Sequence, residues 1–281
     1  MENSLPGSRK PHLVIKPGSG WQALNLREVW QYRDLLITLA MRDVMLRYRQ
    51  TALGVVWVVL QPLMAAGIFS FVFGRVAKLS SDGVPYFVFS YAGLLAWNAF
   101  NSTLGKSSGA LVGSAHLVSK VYFPRMVLPL ATVIGTLIDF AVALVLMFVL
   151  LILYGLSPTM NLLTMPVWLL LILTMSLGIG LFASALTVSY RDVGYIVPVF
   201  VQILMYASPV AYASSALPKE VQGVYLLNPL APLLEAFRWS VLGRGQFHAG
   251  YVAYAAVFSI AAFVFGAFAF KKMERSFADI I

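Results

Sequence analysis

The sequence predicts an all-α integral membrane protein: six transmembrane helices, an amphipathic interface helix near the N-terminus, and short external re-entrant helices. Three observations carry that expectation. Hydrophobic residues make up 60% of the 281 positions and charged residues only 11%, about half the charged share of an ordinary soluble domain. The charges are also crowded: Thr51 to Gly74 holds no Asp, Glu, Lys or Arg over 24 positions, more than the roughly 20 residues that cross a bilayer's hydrocarbon. Finally, five further stretches show the same length and polarity, with no more than one charge in each.

Taken in order, residues 1–25 are polar and contain Pro6, Pro11 and Pro17, with no apolar run behind the leading basic residues. No cleavable leader is expected there, and this tail has no assigned role. Residues 26–281 are expected to form one membrane domain. Over 26–49, apolar Val29, Trp30, Leu36, Ile37, Ala40, Met41, Val44 and Tyr48 recur at helical spacing, with Arg27, Gln31, Asp34, Thr38 and Arg42 on another face. That pattern predicts a helix lying in the membrane interface. Arg42, Arg47 and Arg49 end it at the first span.

The spans are expected at about 52–74, 86–105, 127–154, 162–188, 195–213 and 250–270. An even count puts both termini on one side. That side then carries 15 Lys and Arg, against five (Arg75, Lys78, Lys219, Arg238, Arg244) on the other. The positive-inside rule places both termini in the cytoplasm. In the long external connection, "LLNPLAPLLEAFRWSVLG" is too short and interrupted to span, so it reads as a helix dipping into the outer face. Asn228 would cap it, and Glu235 and Arg238 lie one turn apart, beside whatever exit the protein has.

Several chemistries are excluded or left open. The net charge of +9 comes from cations scattered between apolar runs, so topology explains it better than nucleic-acid binding. There are no cysteines, and His12, His116 and His248 are far apart, so neither disulfides nor a metal site is expected. Gly105, Lys106 and Ser107 imitate the end of a phosphate-binding loop, but the required glycine five positions earlier is Phe100 and the context is a membrane helix. Gly105, Gly109 and Gly113 read instead as a small-residue packing face. No cofactor is expected.

Asp139 is the single acid inside a predicted span. Such a carboxylate can serve as a proton relay or as half of a structural pair; without a second ionisable group nearby, pairing is the simpler reading, and the sequence does not name the partner. Gln61 and Gln202, at mid-span, need hydrogen-bond partners in a neighbouring helix or a wet passage, and Pro62 loosens the helix beside Gln61. Arg191 and Asp192 sit in a short turn between spans, either merely solvated or a docking knob.

The runs "LRYRQTALGVVWVVLQPLM", "PYFVFSYAGLLAWNAF", "LVSKVYFPRMVLPL", "SYRDV", "ASPVAY" and "LLNPLAPLLEAFR", in this order from about Met41 onward, resemble the permease subunit of ABC-2 type exporters. The nearest branch exports lipid-linked polysaccharide such as O-antigen, capsule or teichoic acid. The resemblance implies a bacterial inner-membrane homodimer enclosing a channel and driven by separate ATP-binding cassette subunits, with no enzymatic activity of its own. It implies channel-lining roles for Trp57, Gln61, Phe69, Gln202 and Tyr206. It implies ATPase docking through Arg42, Arg47, Lys106, Lys120, Arg191 and Asp192, and an external gate containing Asn228, Glu235 and Arg238. Three other readings compete: a permease for a small hydrophobic drug, a proton-coupled carrier using Asp139, and a membrane glycosyltransferase. The last lacks any paired-carboxylate motif in the sequence.

Overall fold

The computed structural model describes residues 26–49, 55–274 and 277, with side chains described for 28–46, 56–274 and 277. Its regular structure is helical throughout. The chain opens with α1 (Leu26–Gln31) and α2 (Arg33–Arg49), separated by a turn at Tyr32, so the expected leading helix is broken once. Leu39, Ala40 and Val44 of α2 are buried, and the helix packs on α6 (Val127–Leu153), while Trp30, Ile37, Met41, Met45 and Leu46 face outward. The apolar residues of this segment therefore divide between two faces.

Next, α3 (Val55–Phe69) contains Pro62 and continues as a π-helical segment, Ser70–Val76. The longest helix, α4 (Tyr86–Gly113), runs eight residues past the end expected at 105. A single turn, α5 (Ala115–Val118), leads through an elbow into α6. A 3-10 turn (Met160–Thr164) then feeds α7 (Met165–Ser189), followed by α8 (Val193–Tyr206). Short α9 (Lys219–Tyr225) and α10 (Leu230–Leu242) occupy the long connection before α11 (Ala249–Met273). Gly243, at φ 66°, ends α10 in the left-handed region that glycine enters without strain.

Among the described residues, four helices are long and apolar enough to cross a membrane: Val56–Val76, Val127–Leu153, Met160–Ser189 and Ala249–Met273. The remaining two expected spans differ for separate reasons. α4 has the length, but Asn98, Asn101 and a run of Ser, Thr, Gly and Lys dilute its hydropathy. α8 is apolar but only 14 residues long, because the backbone leaves the helix at Ala207 and enters the loop of "ASPVAY".

The centre of the molecule is α4, which packs on α3, α6, α7 and α10. Phe89, Tyr91 and Phe100 are fully buried there, and Tyr91 Oη donates to the Ala143 carbonyl of α6 at 2.9 Å. A second core joins α2, the elbow, the ends of α6 and α7, and α11 through Leu39, Val118, Phe123, Met126, Val188 and Phe270. α7 and α11 cross backbone to backbone: a Cβ on Gly266 would overlap the Gly178 carbonyl, and one on Gly178 would overlap the backbone of Phe263. Small residues permit this approach, which dispersion then stabilises. By contrast, the positions where a Cβ would stand on Gly105, Gly109 and Gly113 have nothing within 4 Å, so that expected packing face meets no other part of the described chain.

Candidate functional site: a strapped loop and a docking end

At one end of α4, the loop after α8 is strapped down by the α10 segment. Asn228 acts in two directions. Its Nδ2 donates to the Ala207 carbonyl and to Ser208 Oγ, both at 2.9 Å, while its Oδ1 accepts the Leu230 N–H at 3.1 Å. That last contact satisfies one of the orphan donors at a helix start. About two helical turns further along, Glu235 Oε1 accepts the Ser214 N–H at 2.8 Å. Arg238, only 4% exposed, donates to the Pro209 carbonyl and lies 4.0 Å above the ring of Phe89.

Gly93 makes this seating possible, because a Cβ there would collide with the Val210 carbonyl and crowd Arg238. Burial pulls the Arg238 guanidinium below its ordinary pKa, and the carboxylates of Glu235 and Asp82 oppose that shift. The charge is held by carbonyls, an aromatic face and nearby acids, which is how a buried cation is tolerated.

The structure thus brings Asn228, Glu235 and Arg238 together on one loop, 207–214. It also recruits residues that sequence reasoning had left aside. Tyr86 Oη donates to the Ala211 carbonyl at 2.7 Å, Gln222 Nε2 to the Ser214 carbonyl at 3.1 Å, and Ser215 Oγ to Asp82 Oδ1 at 2.8 Å. Tyr225 Oη donates to Tyr212 Oη at 3.1 Å; burial, and then that hydrogen bond, push the Tyr225 phenol upward, so it stays neutral. Tyrosines near membrane ends read as belt residues, and the sequence carries no signal that distinguishes these as latch residues.

The candidate docking residues collect at the other end, apart from Lys106. Phe89 and Leu111 are 22 residues apart on α4, about 33 Å at 1.5 Å per residue. Around Leu111, the second core gathers α2, the elbow and the end of α7. From it emerge partly exposed Arg42, exposed Lys120, and exposed Arg191 and Asp192 in the turn between α7 and α8. The side chain of Arg47 lies outside the described residues. Lys106 sits deeper, on α4, with Nζ 3.0 Å from Asp139 Oδ2 on α6. That contact supplies a partner for Asp139, and it places the glycine-lysine-serine imitation inside a continuous helix, not in a loop.

The channel candidates divide. Trp57, Gln61, Gln202 and Tyr206 are exposed, on outward faces that also carry Met64 and Ile68 of α3 and Val199 and Ile203 of α8. Phe69 instead turns inward and packs against the main core, edge-on to Phe73. Among the described residues no three His, Cys, Asp or Glu side chains gather as metal ligands would. The arrangement offers hydrogen-bond latches at one end and exposed cations at the other.

Long apolar helices, a strapped loop at one end and a cationic surface at the other are the architecture of a polytopic membrane protein. The profile of the ABC-2 type transporter family matches residues 34–242, and the chain belongs to that family. It is a transporter component and not an enzyme. It is similar to the O-antigen export system permease protein RfbA of Myxococcus xanthus, 34% identical over 76% of this chain and 82% of that protein. Its namesake in Klebsiella pneumoniae is 28% identical over 88% and 95%. The polysialic acid transport protein KpsM of Escherichia coli is 24% identical over 85% and 93%. The resemblance read from the ordered motifs therefore holds.

Proposed function

We propose that this chain is the membrane-spanning subunit of an ATP-driven exporter that carries lipid-linked polysaccharide across the bacterial inner membrane. Two copies enclose the passage, and separate ATP-binding cassette subunits dock at the end where α2, the elbow and the 189–192 turn converge. In this reading α4 and α8 cross the membrane together with the four helices of spanning length and hydropathy, and both termini are cytoplasmic. α1 and α2 lie in the cytoplasmic interface, and α10 is re-entrant on the outer side, where Asn228, Glu235 and Arg238 hold the exit loop. Trp57, Gln61, Gln202 and Tyr206 line the passage.

The observation that carries the reading is the pair of outward faces on α3 and α8. Both helices pack on α4, and each presents an exposed mid-helix glutamine among apolar and aromatic side chains. A polar amide facing lipid alone is costly, whereas facing a second copy across a wet passage it can hydrogen-bond to sugar hydroxyls. The names of the relatives, O-antigen export and polysialic acid transport, point to the same class of cargo. Proton-coupled transport through Asp139 is not favoured, since the family is ATP-driven and Lys106 gives that carboxylate a structural use.

Deleting the gene should leave lipid-linked glycan on the cytoplasmic face and strip it from the cell surface, with recovery on re-expression. Normal surface glycan in the deletion strain would overturn the proposal. Unchanged glycan together with altered drug efflux would favour a small hydrophobic cargo.

A further inference from the structure

The elbow between α5 and α6 has an unusual build. Its tip is bare: Val121 is 55% exposed and Tyr122 80% exposed, yet Val118 and Phe123 on either side are buried in the second core. A two-residue apolar knob standing on buried shoulders suits insertion into a partner's cleft. A knob transmits force only if its base is stiff, and the base is held from an unexpected quarter, the far end of the chain.

Glu274, just past the last turn of α11, uses both carboxylate oxygens. Oε1 accepts the backbone N–H of Arg125 at 3.0 Å, across 149 residues of sequence. Oε2 pairs with Lys271 Nζ at 2.7 Å, one turn back on α11, and the Glu274 side chain is only 12% exposed. Arg125 stands two residues before the 27-residue α6, in the turn that enters it, so this N–H points out at the start of the helix. A carboxylate there both satisfies the donor and complements the positive end of the helix. Three residues on, Phe277 is fully buried and meets Phe270 edge-on with centroids 5.4 Å apart. It joins the same core as Phe123, Met126 and Leu39 of α2.

We infer that Glu274 and Phe277 form a brace that fixes the 119–125 elbow to α11, which makes Glu274 a positioning residue for energy coupling. The inference rests on the exporter reading in one respect, that the elbow is where an ATPase subunit pushes. Held by the brace, a push on Tyr122 moves α6, α11 and α2 as one body. Without it, the elbow yields locally and hydrolysis proceeds without moving the helices.

The test uses the full chain in lipid, with and without its ATPase subunits. The sequence has no cysteine, so Tyr122→Cys gives a single spin-labelling site. Glu274→Leu should raise the label's mobility, whereas Glu274→Gln, which keeps an oxygen for the Arg125 N–H, should not. In the assembled complex, Glu274→Leu should leave ATPase co-purification and hydrolysis near wild type. Glycan exported per ATP should fall about tenfold, the scale set by losing one charge-assisted hydrogen bond. Glu274→Gln and Lys271→Gln should couple normally.

Unchanged label mobility and coupling in Glu274→Leu would overturn the brace, as would equal impairment of the Leu and Gln variants. If Glu274→Leu fails to reach the membrane, Phe277→Ala decides: an unmoved label at position 122 would overturn the inference. Because the label reports on the permease alone, its result stands even if the exporter reading fails.

Discussion

Lys106 Nζ and Asp139 Oδ2 lie 3.0 Å apart, joining α4 to α6 with side chains only 29% and 18% exposed. The contact couples two residues that the sequence presents as unrelated, one resembling a nucleotide-binding lysine and the other a proton carrier. If pairing is their main task, they should behave as a unit. Lys106→Ala and Asp139→Ala should each lower the melting temperature of the purified protein. The double variant should cost less than the sum, with a coupling energy of about 1–3 kcal/mol. Strict additivity would show that the pair contributes nothing.

The strap over loop 207–214 should open when its buried cation is removed. Arg238→Met keeps the length and apolar bulk of the side chain but withdraws the donor from the Pro209 carbonyl. A lost charged hydrogen bond of this kind costs about 1.5–3 kcal/mol. Ala213, 2% exposed in the closed loop, reports on it. In detergent, Ala213→Cys should resist maleimide in the parent protein and react about ten- to a hundredfold faster when combined with Arg238→Met. Equal reactivity in both would mean that Arg238 does not hold the loop.

The α7–α11 crossing should not accept even one methyl group. Gly266→Ala places a Cβ on the Gly178 carbonyl, where only backbone movement can relieve the overlap, and should destabilise the fold by about 1–3 kcal/mol. Gly250→Ala, in the same helix with nothing within 4 Å of the new atom, should be neutral or stabilising by about 0.5–1 kcal/mol. Comparing their thermal denaturation separates crowding from helix propensity. Similar melting temperatures would contradict the close crossing.

What the sequence by itself determined is the kind of solvent the chain was built for and the order of its helices, because both follow from local quantities. The uncharged run from Thr51 to Gly74, the Asn228–Leu230 helix start and the cationic stretch around Arg42 each carry their meaning within a few residues. The ordered motifs went further and disclosed the family. Only the tertiary structure decided which faces meet. It set Lys106 beside Asp139, Glu235 on the Ser214 N–H, and Glu274 on the Arg125 N–H, and it turned Phe69 inward while leaving Trp57 and Tyr206 outside. The physical reason lies in the composition of such helices. When a helix is apolar on every side, hydrophobic periodicity no longer separates the core face from the lipid face, and association rests on close packing and a few polar contacts. Those depend on how each helix is rotated and where it crosses its neighbour, geometry that no local run of residues encodes.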